Sequence, residues 1–93
     1  MRKKERQGMI IKISAFPGPR TEQIVANAQA ALSTIEPDGA VHWVHDVHEL
    51  IKQGVTYTPE VTVNDKVKVT GRVPSIHELT KWIEEELPRA VEA

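Results

Sequence analysis

The run "EVTVNDKVKVTG", residues 60–71, sets Val61, Val63, Val67 and Val69 in alternation around Asn64-Asp65. Strand side chains point to opposite faces in turn, so this spacing predicts an antiparallel hairpin with one valine-lined face to bury. An isolated hairpin is marginal in water, and the chain has no cysteine with which to staple one. Another element must cover the valines. "SIHELTKWIEEEL" supplies it: Ser75 and Glu78 read as a capping box, and Ile76, Leu79, Trp82, Ile83 and Leu87 form a helical stripe with Pro88 past its end.

The first half predicts the remaining elements. Residues 9–16 are isoleucine-rich and bounded by Gly8 and Pro17, as suits a buried strand. From Pro19 to Ile35, apolar residues at Ile24, Ala28, Ala31, Leu32 and Ile35 mark one face of a helix, which "EPDG" then ends. "AVHWVH", 40–45, reads as a second strand. Asp46, with Glu49 as a capping-box-like partner, opens a short helix that Gly54 closes beyond Leu50 and Ile51. The order is βαβαββα, a three-layer α/β arrangement in which the first two strands pair in parallel and the hairpin adds an antiparallel edge. Ninety-three residues suffice for one core, expected over 9–88, with a basic tail at 1–8 and a short tail at 89–93. Met9 is a second candidate start, with "MRKKERQG" upstream of it.

Composition removes several function classes. A formal net charge of −1 and few aromatic residues offer no basic, stacking surface for nucleic acid. No apolar run approaches the length of a membrane span, and "MIIKISAF" is interrupted by Lys12 and lacks a cleavage site, so a cytoplasmic location is expected. The absence of cysteine removes thiolate catalysis and cysteine metal sites together.

"YTPEVTVNDKVKVTGRVPSIHELTKWI", residues 57–83, resembles the second half of the small thioredoxin-like proteins known as redox-active disulfide proteins. Their pattern is Thr-Pro before a strand, a polar turn, a second strand running into Gly-Arg-Val-Pro-Ser, and a last helix. "TGRVPSIHEL" is the most specific part, and the order of elements extends the likeness over about residues 9–87. The resemblance implies a thioredoxin-like fold, a cis peptide bond before Pro59, and a Cys-x-x-Cys where the first strand enters the first helix. Matching that helix without gaps puts the cysteine positions on Gly18 and Thr21, around Pro19 and Arg20; a one-residue shift puts them on Pro19 and Glu22. No side chain at these positions forms a thiolate, so the family's exchange chemistry is not available. Thr21 has no recognisable base beside it and is a poor nucleophile. The resemblance further implies a substrate groove made by Gly18 to Thr21, by Thr58 and Pro59, and by Gly71, Arg72 and Val73.

Other constellations carry less chemistry. His42, His45 and His48 are spaced by three, but they span a strand and a following helix, so they do not converge on a metal. "FPGPRT" has one glycine and no terminal lysine, unlike a phosphate loop. Glu84, Glu85 and Glu86 read as a solvated face, His77 as a solvated first-turn residue, Trp82 as core, and Trp43 as either core or contact surface. The expectation is a redox-inactive domain without cofactor that binds a protein or peptide. The alternative is a small anionic ligand, or a thiol-independent reaction, at the two helix N-termini with Arg20 and Arg72. A third reading is assembly through an exposed sheet edge.

Overall fold

A computed structural model of the chain describes residues 9–55 and 57–87. The expected tails at 1–8 and 89–93, and Pro88, lie outside the described residues. The elements are β1 (Ile10–Ser14), α1 (Pro19–Ile35), β2 (Ala40–Val44), α2 (Val47–Lys52), β3 (Glu60–Val63), β4 (Lys66–Thr70) and α3 (Ile76–Glu85). The strands form one sheet in the order β2-β1-β3-β4. β1 pairs parallel with β2 and antiparallel with β3, and β3 pairs antiparallel with β4. This is the expected mixed sheet, with the first strand shorter than 9–16 because Ala15 and Phe16 already turn toward α1.

Ile11 and Ile13 of β1 and Val61 and Val63 of β3 are fully buried with Ile24 and Ala28 of α1 and Leu79 and Ile83 of α3. These side chains fill the layer between the sheet and the α1–α3 pair. Trp82 and Leu87 pack against it as partly buried neighbours, while Ile76 is exposed. Lys12 points to the opposite face, where its Nζ donates to Gln53 Oε1 at 3.0 Å just after α2. That contact puts α2 on the other side of the sheet and gives three layers. Gly39, after α1, is a close approach: an added Cβ would stand 2.7 Å from Leu32 Cδ2 and 3.0 Å from the Met9 carbonyl oxygen. No described helix is long and apolar enough to cross a membrane.

Three local expectations need correction. Val67 is 57 % exposed and does not share the core face with Val69. Next to the two-residue turn Val63 pairs with Lys66 and Thr62 with Val67, so Val67 faces as Thr62 does; Val61 then pairs with Val69, so Lys68 is an extra residue in a β-bulge that returns Val69 to the core face. The same bulge brings Lys68 Nζ to 2.9 Å from Glu86 Oε2 and 3.1 Å from Glu85 Oε1, so these acids are ion-paired and are not merely a solvated face. The hydrogen bond to Glu86 raises the Lys68 pKa, and Lys68 in turn lowers that of Glu86. At α2, the Asp46 carboxylate accepts from the His48 N–H at 2.8 Å, whereas Glu49 lies against Gln53, so the reciprocal half of the capping box is not made.

The hairpin turn has positive φ at both central residues, 49° at Asn64 and 71° at Asp65. That is the type I′ geometry whose twist suits a two-residue hairpin loop. Asn64 also continues the β1–β3 ladder: its N–H donates to the Ile10 carbonyl at 2.9 Å, and its Oδ1 accepts from the Ile10 N–H at 2.8 Å. We predict that Asp65→Gly stabilises the domain by roughly 0.5–1 kcal/mol in urea unfolding, because glycine adopts positive φ without a Cβ penalty. Asn64→Ala should destabilise it by about 1–2 kcal/mol through loss of both the turn preference and the acceptor. Equal midpoints for the two variants would contradict this reading of the turn.

Candidate functional site

Ser14, the last residue of β1, pairs with Glu60, the first of β3. The chain leaving β1 and the chain entering β3 therefore meet at one end of the sheet. Between them Ala15, Phe16, Pro17, Gly18, Pro19, Arg20 and Thr21 face Thr58 and Pro59 across an open cleft of about 230 Å³. The Thr58–Pro59 peptide is cis. The volume lies below the range of pockets that engulf a drug-sized ligand, so the cleft accommodates a side chain or a short length of backbone.

α1 begins on the cleft wall. Gly18 is its N-cap, with extended φ of 160° and no side chain to cap the helix, and Pro19 follows at the first helical position. The first helical bond is Glu22 N–H to the Gly18 carbonyl at 3.0 Å, so the Arg20 and Thr21 N–H groups precede any partner within the helix. Thr21 is buried and its Oγ1 donates to the Phe16 carbonyl at 2.6 Å. The hydroxyl thus holds the turn closed. Among the described residues Arg20 is the one charged side chain lining the cleft; Phe16 on its wall is exposed, as is Tyr57, the residue before Thr58.

The candidate groove residues divide into two groups. Gly18, Pro19, Arg20, Thr21, Thr58 and Pro59 come together, whereas Gly71, Arg72 and Val73 do not line the cleft. Gly71 joins from behind: its N–H donates to the Pro59 carbonyl at 2.8 Å, and its φ of 84° is one that glycine adopts readily. Arg72 is turned to α3. Its Nη1 and Nη2 donate to Glu78 Oε1 and Oε2 at 2.9 and 2.8 Å, a bidentate pair. Glu78 also closes the capping box with Ser75. The i, i+6 relation of arginine to glutamate across a turn carries no periodic signal, which is why sequence reasoning left Arg72 free to meet an anion. Of the two cysteine registers, Gly18 and Thr21 both border the cleft, while Glu22 does not.

A protein-family model described as a thioredoxin domain matches residues 9–84. The chain belongs to this thioredoxin-domain family. No curated protein matches it. With no cysteine in the sequence the family's Cys-x-x-Cys is absent, and dithiol–disulfide exchange has no group to carry it. Among the described residues, no cluster of three or more histidine or carboxylate side chains is placed to hold a metal ion.

The Arg72 hydrogen bonds, and after them the Ser75 N–H, hold the Glu78 carboxyl down to about 2 from its ordinary 4.5. The folded value is the lower one, so this contribution to stability is complete above the ordinary value and is lost as pH falls through the folded one. In an NMR titration the Glu78 carboxyl carbon should turn over near pH 2 in the parent protein. In Arg72→Ala it should return toward the usual carboxylate range; an unmoved midpoint would show that Arg72 is not its partner.

Proposed function

We propose that this is a redox-inactive thioredoxin-like domain that binds an extended protein segment in the cleft between the Gly18–Thr21 turn and Thr58–Pro59, in a cytoplasmic setting. The observation that carries this reading is that both walls of the cleft remain in place although no thiol is present to react. Pro59 offers no N–H, so the backbone of Tyr57 and Thr58 is the natural partner for a strand laid alongside it. Phe16 and Tyr57 supply exposed aromatic surface for an apolar side chain of that segment, and Arg20 favours an acidic neighbour.

The alternative, a small anion or a reaction on an anionic compound, draws support from Arg20 and the first-turn N–H groups of α1. It is weakened by the commitment of Arg72 to Glu78 and by its position outside the cleft. The segment-binding reading therefore stands first.

Titration with extended peptides that pair an apolar and an acidic residue, followed by amide chemical shifts, tests it. Shifts should concentrate on residues 15–21 and 57–59, and Thr58→Ala should weaken binding several-fold without altering the folded spectrum. Shifts confined to other surfaces would reject the cleft. Phosphate or glutathione moving the same amides and raising the melting temperature, with peptides inert, would favour the anionic ligand. Insulin reduction with dithiothreitol should not exceed the blank in either case.

A further inference from the structure

We infer that the outer edge of β2 is a self-association surface, on which β2 of a second copy pairs antiparallel about His42. β2 ends the sheet on one side. The Ala40 N–H donates to the Met9 carbonyl at 2.9 Å, and the Val44 carbonyl accepts from the Ala15 N–H at 3.1 Å. The N–H and C=O of one strand residue point the same way and alternate along the strand. Ala40, His42 and Val44 therefore turn these groups toward β1, and Val41 and Trp43 turn theirs outward. Among the described residues nothing pairs with that outer edge.

The two edges of the sheet differ in how they meet water. β4 carries a bulge, Lys66 and Lys68, devices that discourage strand addition. β2 has none of them: it pairs with β1 in unbroken register and contains no lysine, acid or proline. Trp43 on this strand is 36 % exposed.

A second copy fits because the outward groups are complementary to themselves. With His42 opposite His42 of the second copy, Val41 exchanges both backbone hydrogen bonds with Trp43 of the second copy, and Trp43 does the same with Val41 of the second copy. All outward donors and acceptors of the two residues are then satisfied around a two-fold axis. Val41 and Trp43 lie in register with Ile11 and Ile13, so each indole meets a valine on the face that carries the core, a favourable aromatic and β-branched pairing. The strand bears no lysine, arginine or carboxylate, so self-pairing brings no fixed like charges together. Five-residue strands bury less than a standard interface, which makes the dimer weak and reversible.

Sedimentation equilibrium and amide hydrogen exchange on the full chain, from about 10 µM to about 1 mM, test this. The average mass should climb from monomer toward dimer, and the Val41 and Trp43 amides should gain protection with concentration while those of Ala40 and His42 stay protected throughout. His42→Lys sets two like charges across the axis and should weaken association ~tenfold or more, whereas His42→Thr should retain it. His42 is exposed, so both variants should keep the parent's folded spectrum. A monomer at every concentration, a dimer whose Val41 and Trp43 amides exchange freely, or unchanged association in His42→Lys would overturn the inference.

Discussion

The antiparallel seam between β1 and β3 is the constraint on which the rest depends. Its side chains Ile11, Ile13, Val61 and Val63 are fully buried and give α1 and α3 a common surface to cover. Its last pair, Ser14 with Glu60, brings the exit of one strand and the entry of the other to one place. Once that pair is made, the turn into α1 and the Thr58–Pro59 peptide have little freedom to stand apart. The cleft is a consequence of strand register, and no reactive side chain is needed to hold it open.

Supports around the cleft follow the same logic. Thr21 bonds the Phe16 carbonyl from inside the turn, Gly71 bonds the Pro59 carbonyl from behind, and Asn27 Nδ2 donates to the Pro74 carbonyl at 2.9 Å, linking α1 to the segment before α3. Trp43 Nε1 donates to the Ala15 carbonyl at 3.0 Å, so the edge strand is also tied to the cleft. Each bond fixes backbone near the site, and none uses a group that exchanges electrons. A thioredoxin-type scaffold can therefore lose its chemistry while the shape of the cleft is maintained by independent contacts.

Much of this was legible in the sequence. The helix from Pro19 to Ile35 coincides with its apolar face, and the Ser75–Glu78 capping box forms as its spacing requires. Periodicity finds such elements because one face is buried and one is wet. It could not find the bulge at Lys68, because the valines keep their alternation in sequence while the backbone reverses their facing. The Arg72–Glu78 pair was hidden for a related reason: it joins a turn to a helix, outside any repeating pattern. Gly18, Thr21, Thr58 and Pro59 were named through family resemblance, and their meeting in one cleft is a result of pairing across the sheet.

The claim that this cleft is a thioredoxin site lacking only its sulfur can be tested by restoring the sulfur. An added Cβ at Gly18 meets nothing within 4 Å, and the extended backbone there suits any residue. Thr21, one helical turn on, borders the same cleft. The Gly18→Cys/Thr21→Cys double variant should close an intramolecular disulfide on mild oxidation and reduce insulin above the blank, with Pro19→Cys/Glu22→Cys slower. A folded Gly18→Cys/Thr21→Cys protein whose thiols stay unlinked and inactive would contradict the claim.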